Sequence, residues 1–343
     1  MKHPYTHAPN RAFWSRSVAS GLTVEELNLT RAILPTDRVV SAGSCFASNL
    51  VPYLERSGIH YVKTETRHPL FRWLPEDSFG YDRFSAAYGN IYTARQFLQL
   101  LQRALGMYQP TEDRWHIADN VVDPFRPGLR WAARSDQEFD ALTAQHLSRV
   151  CQAIKSGTVL VFTLGLTEAW ISAEDGAVFP ACPGTISGVY DAEKHKFHNF
   201  SVTEVCEDLQ GIVQVISEIN PPMRIVLSVS PVPLVATATN NHVLVASTYS
   251  KSVLRVAAEE CAASHKHVTY FPSYELLTGP QAASEFFAPD KRNVTEAAVD
   301  YVMGILLGEV RIESHSKNEK TDASASLSAA VLAECEELMA ERE

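Results

Sequence analysis

The chain has 343 residues and a mass of 38.0 kDa, one large domain or two small ones at roughly 100–200 residues per domain. Hydrophobic residues make up 45% and charged residues 20%, a globular composition that buries a full core without disulfide or metal staples. Forty acidic against thirty basic residues give −10 and a pI near 5.7, which argues against a phosphate-tracking nucleic-acid binder and against docking on an anionic membrane.

In chain order, residues 38–42 form a short apolar run that leads into Gly43-Ser44-Cys45. A helix is expected over 46–56, with Gly58 as its stop. Residues 65–131 are aromatic and Pro-rich, interrupted by one helix at 93–105. A long helix at 137–154 feeds the apolar run 158–164, which ends at Gly165. Such β-rich runs followed by turn signals read as buried parallel strands. Ser201-x-x-Glu204 is a capping box opening a helix to about residue 219, and the strand 224–230 follows, ended by Pro231 and Pro233. A helix at 243–264, a strand at 268–271 and a helix at 295–307 complete the pattern. Strands alternating with helices imply an α/β fold around a parallel sheet of about five strands with right-handed crossovers.

The expected organisation is one domain over 1–311, with 65–131 as an insertion capping the active edge. Residues 312–343, polar and Ser/Ala-rich, read as a mobile tail. No apolar run approaches the roughly 18–20 residues that cross a bilayer, and the polar N-terminus has no signal-peptide core, so the expected location is cytoplasmic. Six scattered cysteines, none in a C-x-x-C pair, are expected to stay reduced there.

In an open parallel sheet, ligands bind outside the carboxyl ends of the strands. Past those ends stand Gly43-Ser44-Cys45, then Gly165-Leu166-Thr167-Glu168, then Ser230-Pro231-Val232-Pro233 with His242, and last Asp290-Lys291-Arg292-Asn293. A thiol, a glycine turn with polar side chains, an imidazole and a carboxylate are the parts of an acyl-transfer site. Cys45 stands at a strand-to-helix junction behind a glycine, where the helix N-terminus favours a thiolate and the N–H groups suit an oxyanion. Position alone leaves open the other reading, a buried inert cysteine. His195-x-x-His198 and His265-x-His267 lack a third ligand at suitable spacing, so no metal is expected. Trp73, Trp115 and Trp131 suit either packing of the insertion or a wall for sugar or acyl groups.

Gly43-Ser44-Cys45-Phe46-Ala47 spells the motif of the GSCFA family, and five further blocks resemble that family in order. They are Tyr88-Gly89-Asn90-Ile91-Tyr92-Thr93, Gly165-Leu166-Thr167-Glu168-Ala169-Trp170, Phe197-His198-Asn199-Phe200, Ser230-Pro231-Val232-Pro233 and Tyr249-Ser250-Lys251. The resemblance runs from about residue 13 to 307 and implies kinship with the SGNH (GDSL-type) hydrolases. Those use a flavodoxin-like three-layer α/β/α sandwich with a central parallel sheet for esterases, lipases and carbohydrate acyl-ester enzymes. A cysteine-bearing relative occurs among capsule-polysaccharide acetyltransferases.

Carried over block by block, the resemblance puts Cys45 in the nucleophile's place, beside Ser44. Gly89 takes the place of the second-block oxyanion glycine, with Asn90 beside it. Gly165, Thr167 and Glu168 occupy the third block, where Thr167 replaces an asparagine donor; a hydroxyl retains one proton to give. The last block, Asp-x-x-His, becomes Asp290 to Asn293, so the expected base is absent. His242 or His198 is then the candidate base, with His242 favoured, and Asp290 and Asn293 as orienting groups in a Cys-His-Asn arrangement.

The resemblance implies a hydrolase acting by a cysteine nucleophile on an O-acylated carbohydrate or lipid-like substrate, with no cofactor. The alternatives are an O-acyltransferase acting on a bacterial polysaccharide with acetyl-CoA or another acyl-CoA as co-substrate, and a non-catalytic glycan- or partner-binding module. The expected partner is a small-molecule or glycan ester, without nucleic acid or membrane span; the oligomeric state is not fixed by the sequence.

Overall fold

The computed structural model describes residues 3–20, 27, 32–72, 83–129 and 131–308. Trp73 and the segment 312–343 lie outside them. The chain enters the sheet at β1 (Arg38–Gly43), makes the single turn α1 (Cys45–Ser48), and continues through α2 (Leu50–Arg56) to β2 (His60–Tyr61). The helix expected over 46–56 is thus interrupted at Asn49, and Pro52 is the reason. It has no N–H for the Ser48 carbonyl, and its ring crowds that same oxygen. The Gly58 stop is present, with φ of 69°.

Next come α3 (Ala94–Ala104), the hairpin of β3 (Trp115–Ile117) and β4 (Asn120–Val122), and α4 (Asp136–Ser156). The hydroxyls of Thr93 and Ser135 cap the two helices by accepting from the N3 amides. Then β5 (Val159–Leu164) runs into three strands the sequence reading did not foresee: β6 (Glu168–Ser172), β7 (Val178–Phe179) and β8 (His195–Asn199). The capping box of Ser201 and Glu204 opens α5 (Val202–Ile219) with both of its hydrogen bonds made. After it follow β9 (Arg224–Val229), α6 (Val243–Ser264), β10 (Val268–Phe271), α7 (Ser273–Thr278) and α8 (Glu296–Leu307).

The main sheet has the order β10-β9-β5-β1-β2 with every pairing parallel. Numbered by strand within the sheet this is 2-1-3-4-5, the flavodoxin-like order. Its strands alternate between two cores. Val40 and Ala42, Leu160, Phe162 and Leu164, and Ile225, Leu227 and Val229 face a layer built from α3, α4, α5 and α6. Val39, Val159, Val161 and Val226 face α1, α2, α7 and α8 through Phe46, Leu50, Leu54, Leu277 and Val302. The architecture is therefore a three-layer α/β/α sandwich. No helix of the described residues is long and apolar enough to cross a membrane.

At the amino edge, Asp37 clamps three strands. Its carboxylate accepts from the Leu34 amide at 2.6 Å, from the Thr158 hydroxyl at 2.8 Å, and from Arg224. Burial pushes this carboxyl up, but the Arg224, Leu34 and Thr158 hydrogen bonds outweigh it and hold the group below its usual value. A depressed carboxyl stabilises the fold fully above its unfolded value and loses that effect as pH falls. Asp37→Asn is therefore expected to cost about 1–3 kcal/mol at neutral pH. The gap from wild type should shrink below about pH 4. Urea midpoints at pH 7 and pH 3 check it; an equal gap at both would contradict the clamp.

Candidate active site

In an open parallel sheet, the ligand crevice opens where the strand order reverses. Here that point lies between β1 and β5, at the carboxyl ends that carry Gly43 and Leu164. Gly43 pairs with Thr163 and has φ of 145°, where only glycine rests. A Cβ there would lie 2.7 Å from the Thr163 carbonyl oxygen and 2.9 Å from the Ala47 Cβ. Glycine is what lets β1 turn directly into α1, with buried Ser44 as N-cap and Cys45 as the first helical residue. Because α1 is one turn long, it offers Cys45 its unpaired N–H groups more than a long macrodipole.

The motif blocks meet at this turn. The Gly43 carbonyl accepts from the Ile91 amide at 2.8 Å, and the Tyr92 carbonyl accepts from the Gly165 and Leu166 amides at 3.1 and 2.9 Å. A Cβ on Gly165 would lie 3.0 Å from that Tyr92 oxygen and 3.6 Å from the Ser44 Cβ. From α6, the Ser250 hydroxyl accepts from the Thr167 amide at 3.0 Å, and buried Lys251 donates its ammonium to the Gly165 carbonyl at 2.7 Å. The Ser230 amide donates to the Leu164 carbonyl at 2.9 Å. Segments far apart in sequence thus build one wall around the Cys45 backbone.

Gly89 lies next to this wall with φ of 66° and open space where a Cβ would point. Its N–H meets no acceptor among the described residues. Beside it, the Asn90 carbonyl accepts from the Gln96 side chain at 2.9 Å. Thr167 is fully buried and gives its hydroxyl proton to the Asn199 side-chain oxygen at 2.7 Å, so that proton is already committed. Glu168 braces the loop after β9, accepting from the Thr237 hydroxyl at 2.7 Å and the Ala238 amide at 3.2 Å.

The two candidate bases stand elsewhere in the hydrogen-bond network. Exposed His242 is the N-cap of α6, its Nδ1 accepting from the Leu244 amide at 3.2 Å. His198, on β8, pairs through Nε2 with Glu204 at 2.7 Å, the same glutamate that closes the α5 capping box. Burial pushes the Glu204 carboxyl up, but the Ser201 and His198 contacts hold it below its usual value. Asp290 and Asn293 bond to each other across their own turn. Asp290 is pushed up by its slight burial and held lower on balance by the Arg292 and Asn293 amides. No hydrogen bond joins either histidine to Asp290 or Asn293 among the described residues. Neither histidine is therefore oriented by the Asp290–Asn293 turn through a hydrogen bond.

Sequence reasoning assigned no role to Asn199, Ser250 or Lys251, although all three lie in blocks it singled out. The signal was a polar or charged residue inside a motif, the lysine in the midst of an apolar helix. Of the aromatic residues, Trp115 is buried against Gly188 and Phe179, and Trp131 packs beside Phe71 and Ala87, so both contribute to packing. His195 and His198 do not converge: three residues apart on a strand, they turn to opposite faces, and His195 pairs with Glu112 at 3.2 Å. Burial raises the thiols of Cys182, Cys206 and Cys261, the last to about 11.

Strand order and crevice define a flavodoxin-like α/β protein with its turn cluster at the topological switch point. The chain belongs to the GSCFA family, whose model matches residues 38–305. No curated protein matches the sequence. Among solved structures, it is similar to a carbohydrate esterase family 3 protein from Talaromyces cellulolyticus, at 7% identity and a TM-score of 0.39, covering 79% of this chain and 95% of that one. It is also similar to a GDSL-like lipase from Bacteroides thetaiotaomicron, at 11% identity and a TM-score of 0.35, covering 86% and 96%. At such scores the fold class rests on the strand order itself.

Proposed function

We propose that this protein is an acyl-ester hydrolase whose nucleophile is Cys45. The observation that carries the reading is the convergence of the blocks at residues 43–47, 88–93, 165–170 and 249–251 on the switch point, with the unpartnered Gly89 N–H beside it. A Cys45 thiolate attacks the ester carbonyl, and the tetrahedral oxyanion is held by the Gly89 and Cys45 amides. The C–O bond then breaks, the alkoxide leaves with a solvent proton, and water hydrolyses the acyl-thioester. Lys251, buried behind the Gly165 carbonyl, sets a positive charge at this edge and favours the thiolate. A thiolate formed in this way needs no histidine to take its proton. His242 and His198 are then left with the deacylation step.

Intact-mass detection of an acyl adduct after brief exposure to p-nitrophenyl acetate, and separately to acetyl-CoA, tests the reading. The adduct should map to Cys45, vanish in Cys45→Ala, and form from the ester. Three of the remaining thiols are raised by burial, so labelling at mildly acidic pH should favour Cys45 over them. An adduct from acetyl-CoA alone would move the assignment to acyl transfer, and no adduct from either donor would leave a binding module.

A further inference from the structure

The sheet of β6, β7 and β8 stands directly after β5, at the carboxyl edge of the main sheet. Across its strands Trp170 pairs in register with Phe179 on one side and Phe197 on the other. Directly opposed residues of antiparallel strands share a face, so Trp170 and Phe197, with ring centroids 5.9 Å apart, make an aromatic row continued by buried Phe179. Between that row and the loop after β9 runs an open cleft of about 230 Å³, lined also by Leu166, Leu234 and Val235. Leu166, which lines the cleft, follows Gly165, where a Cβ would lie 3.6 Å from the Ser44 Cβ, so the cleft and the turn that bears Cys45 are joined by adjacent residues.

The polar side chains along the cleft are already engaged with the protein. Glu168 accepts from Thr237 and Ala238, the Thr185 hydroxyl donates to the Cys182 carbonyl at 2.7 Å, and the Cys182 thiol leans on the Pro183 carbonyl at 3.6 Å. Only the Trp170 indole N–H is left without an acceptor among the described residues. A sugar entering here would give up water at each hydroxyl and find few replacement partners, chiefly the spare lone pairs of Glu168 and the Trp170 N–H. An alkyl chain gives up nothing of the kind and gains by burial against the aromatic row.

We infer that this cleft receives the acyl chain of the substrate, so that the protein acts on esters of medium-length fatty acids in preference to acetyl esters. The inference rests on the esterase reading above. The volume takes about eight water-sized groups, each close to a methylene in bulk.

The test is kcat/KM for p-nitrophenyl acetate, butyrate, hexanoate and octanoate, with octanoate binding by calorimetry on Cys45→Ala alongside. Each added methylene is expected to raise kcat/KM about fourfold until the cleft is full. Ala236→Trp, an exposed position at the cleft, should flatten that rise, with the octanoyl ester losing most. Acetyl turnover with no chain-length dependence would overturn the inference and leave the esterase reading intact, as would preference for an acetylated sugar over the octanoyl ester. If no ester is turned over, the esterase reading fails and calorimetry decides the cleft. Octanoate binding that is weakened by adding Ala236→Trp supports an acyl site, and its absence overturns one.

Discussion

Cys45→Ser is expected to lower kcat/KM toward p-nitrophenyl esters by about 10²–10⁴-fold, the usual worth of a positioned general base. A thiol near an ammonium ionises on its own, whereas a serine hydroxyl must hand its proton to a base at the moment of attack. Lys251 supplies the charge at this edge, and neither His242 nor His198 is hydrogen-bonded to Asp290 or Asn293. The serine variant replaces the thiol that the proposed function makes the nucleophile and is expected to leave the turn unchanged, so its circular dichroism and urea midpoint should match wild type. A serine enzyme within tenfold of wild type would mean that a base does serve residue 45. His242→Ala and His198→Ala in the serine background would then identify it.

Gly43→Ala is expected to destabilise the fold by about 2–6 kcal/mol, summing strain at a glycine-only dihedral and overpacking of a filled site. The new methyl meets a backbone oxygen of β5 at 2.7 Å and the Ala47 Cβ at 2.9 Å, and neither partner can swing away. Gly89→Ala is the control. It also has a positive φ, but its Cβ enters open space, so only the left-handed penalty of about 1–2 kcal/mol applies. Urea unfolding of both variants decides the matter. Equal losses would mean that β1 and β5 are not packed as closely at the turn as the structure has them.

Where burial dictated the pattern, the fold was legible from sequence. The helix at 243–264 and the strand at 268–271 occupy the expected residues, because apolar runs between turn signals leave few alternatives. The short strand β2, two residues long, carries too little pattern to register. The β6–β8 sheet escaped because segments such as His195–Asn199 are polar and half-exposed, stabilised by cross-strand aromatic contacts that alternation does not encode. Pro52 was visible all along, and weighing it against the apolar helix pattern would have shortened that helix.

Of the candidate site, the sequence made readable only which residues stand at strand ends. Strand ends placed the residues at one edge, since parallel strands share their direction. Side-chain direction was not readable. A histidine beside a strand end turned out to cap a helix, and Thr167 turned its proton toward Asn199. Lys251 lies just over two turns into α6 and reaches back to Gly165 through a contact that no local pattern reports.

That last contact spans 86 residues, which has a consequence for the protein while it is being made. A ribosome adding about 5–20 residues per second takes roughly 4–17 s to pass from Gly165 to Lys251. Over that interval the nascent chain already carries Cys45 and the strands that flank it, yet lacks the ammonium that backs the turn. Until then the Gly165 carbonyl has no ammonium to meet it, and the wall at the switch point is completed only as α6 docks.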